Sequence, residues 1–158
     1  MREHVADACL VAFLILFWFV CGVTLLQGWG NYPMWRDMGA AMSNEDFLRI
    51  RHAHYPIIYP LAVIPGAVSS GLLAVLLWLR PVGISLEQLW AVFLLSLGIG
   101  ISTFAVQIPL QDRLDAVGYE RAVIERLIET DLWARKIPGL LAMALAVPLT
   151  WQAVRRRR

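Results

Sequence analysis

The sequence predicts an all-α integral membrane protein, a single domain over 1–158 in which four spanning helices form one bundle and two long outer connections carry short amphipathic helices. Three observations predict this. Apolar residues make up 59% of the 158 and charged residues only 16%, a balance that a soluble domain of this size could not hide from water. The apolar residues fall into four blocks, 5–26, 56–79, 86–108 and 132–154, each about the 20 residues a helix needs to cross the hydrocarbon core. Tryptophans mark the block ends, Trp78, Trp90 and Trp151 toward one face and Trp29, Trp35 and Trp133 toward the other, as an interfacial belt requires.

The first block follows Arg2 but is longer than a signal h-region and ends in no small-x-small cleavage site, so it reads as a retained span. Cys9 and Cys21 lie on different sides of that helix and cannot bridge. The chain therefore lacks the Cys-x-x-Cys pair of a disulfide-exchanging quinone reductase. An even number of spans places both termini on one side, with a short turn at 80–85 beside them. The connections 27–55 and 109–131 lie on the other side. Arg155 to Arg158 directly abut the last span, whereas the bases of the connections are diluted by acids. Positive charge close to span ends weighs most, so the termini are expected in the cytoplasm of a bacterial inner membrane and the connections outside. The net charge of +2 carries no nucleic-acid signal, and the basic tail reads as an anionic-lipid contact.

Ahead of the second block, Ser43 can cap a helix whose first turn carries Glu45 and Asp46, and Pro56 is expected to interrupt it before the membrane. In the second connection, Val123, Leu127 and Ile128 lie opposite Glu120, Arg121, Glu125 and Glu129, the pattern of an amphipathic helix. Apart from Asp7, no acid or base sits deep in a span, which disfavours an ion-coupled transporter. Small residues four apart, Gly66 and Ser70, Ala67 and Gly71, Ser96 and Gly100, Ala142 and Ala146, are expected to let helices approach closely, within a bundle or a homo-oligomer. Pro60, Pro65 and Pro148 are expected to kink their spans around an outward-opening pocket.

Polar groups collect at that mouth. They are Gln27, Trp29 and Tyr32 after the first span and His52, His54, Tyr55 and Tyr59 entering the second. Gln107, Gln111 and Arg113 follow the third, and Asp131, Trp133 and Arg135 enter the fourth. An apolar cleft with a few convergent polar groups is the expected ligand site. His52 shares a helical stripe with Leu48 and Tyr55, and His54 shares one with Phe47, Ile50 and Arg51, since residues two apart point about 200° away from each other.

Four spans in this length, a tryptophan and proline after the first, histidines at the mouth of the second, and "QIPLQDRL" closing the third together resemble the anthrone-oxygenase-like family of small membrane proteins. The family's Pro-x-Asn-x-x-Leu pattern falls on Pro109 to Leu114, with Gln111 where an Asn is expected. The resemblance implies oxygenation of a lipophilic aromatic, an anthrone, phenol or quinone, at the outer helix ends. On that basis His52 is the preferred base, with His54 beside it, and Tyr55, Gln111, Arg113 and Arg135 orient or stabilise an oxyanion. Trp29 and Trp133 would stack on a flat ring, and Tyr32, Tyr59 and Gln107 complete the binding residues. Such chemistry needs either no cofactor or a single iron or copper on His52, His54 and Asp131. The alternative is a non-catalytic membrane subunit or a carrier for a lipophilic molecule. A reporter fused after Arg158 is expected to be active only in the cytoplasm and one inserted near Met42 only outside; the reverse pattern would invert this topology.

Overall fold

The computed structural model describes residues 2–155, apart from the side chains of Tyr55 and Tyr59, which lie outside the described residues. Helices account for nearly all of that length, and no strand occurs among the described residues. The chain forms four long rods. The first runs from α1 (Arg2–Leu26) through a wide π-helical turn, Gln27–Asn31, into α2 (Tyr32–Gly39). The second is α3 (Asn44–Leu79). The third joins α4 (Leu86–Ser102) to α5 (Ile108–Val117) through a π turn at Thr103–Gln107, and the fourth joins α6 (Arg121–Asp131) to α7 (Ile137–Arg155) through one at Leu132–Lys136. The rods are 38, 36, 32 and 35 residues long, and each is apolar enough to cross a membrane. At ~1.5 Å per residue they extend over roughly 48–57 Å, well beyond the ~30 Å of a hydrocarbon core.

Most of the residues expected in long connections are therefore helical. Ser43 caps α3 as anticipated, accepting from the Asp46 amide at 3.1 Å, and Ser85 caps α4 in the same way through Gln88. Pro56 does not interrupt the second rod, nor do Pro60 and Pro65; α3 is continuous through all three. Around Pro60 and Pro65 the flanking residues are largely apolar, so leaving the helix there would strand backbone groups without partners. The register shifts elsewhere. The amides of Tyr32, Ile108 and Ile137 bond five residues back, to the carbonyls of Gln27, Thr103 and Leu132, and each precedes a proline: Pro33, Pro109 and Pro138. A proline ring collides with the carbonyl four residues earlier and offers no N–H, and widening the preceding turn relieves that clash.

Sequential rods are neighbours, and the first and last close the ring. Two apolar cores form along it. One lies toward the chain termini and joins Leu10, Phe13 and Phe17 to Leu73, Leu76, Leu89, Val92, Ala146 and Leu149. The other lies at the opposite end, where Tyr32, Trp35, Phe47, Leu114, Ile124 and Leu127 meet. Large apolar side chains also remain exposed along the rods, among them Ile15, Ile57, Ile64, Leu94, Ile101, Leu141 and Val147, a surface far too apolar for water. Ala142 and Ala146 pack tightly, as their spacing suggested. Gly71 and Gly100 do not: a Cβ at either would meet nothing within 4 Å. Cys9 and Cys21 are both free.

The turn between the third and fourth rods depends on one glycine. Gly118 has φ 86° and ψ −148°, a region essentially closed to other residues. A Cβ there would run into the Asn44 side chain, which accepts from the Tyr119 amide at 2.7 Å and donates to the Val117 carbonyl at 3.2 Å. Gly118→Ala is expected to cost about 1–3 kcal/mol, read as a lowered unfolding midpoint in detergent. An unchanged midpoint would contradict the clamp.

Candidate functional site

Between the two cores the rods part around a small chamber of about 90 Å³ in which several polar side chains meet apolar ones. All three π turns face it, supplying Gln27, Thr103, Gln107 and Arg135, while α3 supplies Arg51 and His54, and Tyr32, Trp35 and Gln111 close the upper end. Wide π turns recur at functional sites because they re-aim side chains that a regular helix would direct elsewhere.

One polar network crosses all four rods. Arg51, 2% exposed, donates through Nε to Asp115 at 2.7 Å and through one terminal nitrogen to the Gln111 side-chain and main-chain oxygens at 3.0 and 3.2 Å. Its guanidinium lies 4.6 Å from the centre of the Trp35 ring, a cation–π contact. With Oε1 committed to Arg51, the Gln111 amide donates through Nε2 to the Tyr32 hydroxyl at 3.1 Å, and Arg135 donates to the same hydroxyl at 3.4 Å. Tyr32 thus accepts twice, which leaves its own O–H as a donor. Arg135 and Lys136 flank the fully buried Asp131 at 3.2 and 3.3 Å, and Lys136 also donates to the Gly28 carbonyl at 2.9 Å. Gly28 has to be glycine here, since a Cβ would overlap Asp131 and Lys136.

His54 lies one turn beyond Arg51 on α3 and, among the described residues, shares no hydrogen bond with that network. Its Nε2 lies 3.2 Å from Asn31 Nδ2 and 3.4 Å from Gln27 Oε1, and its ring meets Trp35 edge-on at 5.6 Å. Asn31 Nδ2 also donates to Gln27 Oε1 at 2.6 Å, which fixes it as the donor. The shorter contact then makes Nε2 an acceptor, the neutral tautomer protonated at Nδ1. Several buried polar atoms of lining residues have no hydrogen-bond partner: Trp35 Nε1, one terminal nitrogen of Arg51, Gln107 Oε1 and Arg135 Nε. Buried polar atoms are rarely left so, and a cluster of them calls for an explanation.

The chamber opens into an apolar cavity of about 360 Å³ that shares Thr24, Ala62, Val63, Thr103 and Arg135 with it. That cavity continues through Ser70, Ser96, Gly100 and Phe104 into a groove of about 530 Å³. Gly66, Ser70, Ser96 and Gly100, expected to draw helices together, border open space instead.

Of the residues expected at the site, Gln27, Tyr32, His54, Gln107, Gln111 and Arg135 line the chamber. The side chains of Tyr55 and Tyr59 are outside the described residues. His52, the preferred base, is exposed on the outer side of α3 and lines no part of the chamber, because residues two apart face nearly opposite ways. Arg113 is also exposed and is held by Glu120 at 2.7 Å. Trp29 and Trp133 are exposed as well. Asp131 joins Arg135 and Lys136 rather than the histidines, and no three His, Cys, Asp or Glu side chains gather to hold a metal among the described residues. The expected iron or copper set does not fit this arrangement. Arg51, Trp35, Asn31 and Lys136 were not anticipated; Arg51 lies three residues before His54 on one helical stripe, a signal available in the sequence. Compared with family models, with curated proteins and with solved structures, the chain finds no match.

Burial separates the ion pairs by magnitude. Asp131→Asn leaves two cations without a counter-charge, and a cost of about 3–5 kcal/mol is expected. Arg113→Ala removes an exposed pair and is expected to cost under about 1 kcal/mol. Unfolding in detergent compares the two, and equal effects would contradict this assignment.

Proposed function

We propose that the four rods cross a bacterial inner membrane with the termini in the cytoplasm, and that the outer chamber is the active site of an oxygenase for a lipophilic aromatic of the anthrone or phenol type. In this reading α2 and α6 form amphipathic caps beyond the membrane. One observation carries it: unpartnered buried donors of Arg51, Trp35 and Arg135 surround a small chamber that opens into a larger apolar cavity, the composition of a site for a flat apolar body with an oxygen at one edge. The groove between α3 and α4 lets such a body enter sideways from the lipid.

The reaction assigns each residue a task. His54, whose Nε2 exchanges its hydrogen bond from Asn31 for the substrate, takes a proton from the activated methylene or the hydroxyl, and Arg51, Gln111, Tyr32 and Arg135 stabilise the resulting oxyanion. The anion gives electrons to dioxygen, the co-reactant. Across the whole reaction the methylene loses two hydrogens and becomes a carbonyl. One oxygen atom enters that carbonyl, the other leaves as water, and four electrons pass to dioxygen. The base role thus moves from His52 to His54, and the resemblance of Pro109 to Leu114 to the anthrone-oxygenase-like family adds to the same reading.

Oxygen consumption with a dihydroxyanthrone, measured on protein in nanodiscs, tests it. His54→Ala is expected to lose about 10²-fold or more in rate with an unfolding midpoint within a few degrees of the parent, and His52→Ala to change it by less than about twofold. Gln111→Ala is expected to lose roughly tenfold to several hundredfold. Full turnover by His54→Gln would sink the assignment of the base. Binding without any oxygen consumption by the parent would favour a carrier.

A further inference from the structure

The charges of the network do not balance. Arg51 is matched by Asp115 at 2.7 Å, whereas Arg135 and Lys136 share the single carboxylate of Asp131 at 3.2 and 3.3 Å. The side chains of Arg135 and Lys136 are 11% and 3% exposed, and that of Asp131 is fully buried. Neither the chamber nor the adjoining cavity has an Asp or Glu among its lining residues. His54, neutral in the tautomer its contacts select, adds no compensation. One positive charge is therefore left over in a place with little water, which is unfavourable unless a counter-charge arrives. The unpartnered nitrogens lie on the same residues: Arg135 Nε and a terminal nitrogen of Arg51, with the Tyr32 O–H between them.

Building on the aromatic-ligand reading above, we infer that the chamber selects its ligand as a monoanion. The charged oxygen sits among Arg51, Tyr32 and Arg135, and the apolar body extends into the cavity lined by Phe17, Val20, Phe104 and Met143. The favoured class is an acidic phenol or enol on an aromatic body, already ionised or ionised on entry, with a single negative charge. A dianion would exceed the surplus, and a neutral ether would leave it uncompensated.

An alkylated hydroxynaphthoquinone, ionised at neutral pH, and its methyl ether have nearly the same shape and differ in that charge. Binding of each is followed by quenching of tryptophan fluorescence in phosphatidylcholine nanodiscs, corrected for partition into empty discs. The parent is expected to bind the anion roughly ten- to a hundredfold more tightly than the ether. Arg135→Gln leaves Asp131 with Lys136 alone and is expected to bring the two ligands within about threefold of each other. Arg135→Lys, which keeps the charge, is expected to keep the preference. Equal binding of both ligands to the parent overturns the inference and leaves the aromatic-ligand reading standing; binding of neither overturns both. An Arg135→Gln protein that still prefers the anion as the parent does overturns the assignment of the surplus charge. The comparison on the parent decides the matter even where a variant fails to fold.

Discussion

A proline has no N–H to donate, and three of the four rods meet that deficit at one level of the bundle. Before Pro33, Pro109 and Pro138 the backbone bonds slip to five residues back, and the turns widen. Gln27, Gln107 and Arg135 belong to those turns and face the space between them. Just beyond or before those turns, Tyr32, Gln111 and the buried Asp131 are joined through one network. The second rod keeps its α register through its own prolines and presents Arg51 and His54 from a continuous helix, while the other three supply polar groups from or beside their wide turns.

The placement of this level between two apolar cores decides how strongly its charges act. Above and below it, side chains such as Phe13, Leu76 and Leu149, or Phe47, Leu114 and Leu127, exclude water. Between them a hydrogen bond to a charged group is stronger than at the surface, and an unmatched one is more costly. The ion pairs of Arg36, Arg49, Arg113 and Arg121 are largely exposed and contribute little either way. The buried set around Asp131 and Arg51 adds little net stability over an apolar replacement.

Small residues serve a different purpose from the one their spacing suggests. At Ala142 and Ala146 they pack closely. Around Gly66, Ser70, Ser96 and Gly100 they leave the volume that joins the chamber to the outer groove. The same four-residue spacing therefore accompanies contact at one place in the bundle and open volume at another.

By itself the sequence determined the four apolar rods, since block length and exclusion from water are properties of each segment alone. It also determined the cap at Ser43, which depends on a residue three away, and drew Gln27, Tyr32, His54, Gln107, Gln111 and Arg135 to one mouth. Only the tertiary structure decided which histidine turns inward, that Arg51 is buried, that Asp131 serves Arg135 and Lys136, and that Arg113, Trp29 and Trp133 stay outside. The reason is helical phase. A π turn inserts the equivalent of one residue, rotating everything beyond it by about 100°, so faces counted along a 3.6-residue period lose their alignment across it. Whether a side chain on a given face is buried then depends on the neighbouring rod, which no local pattern records.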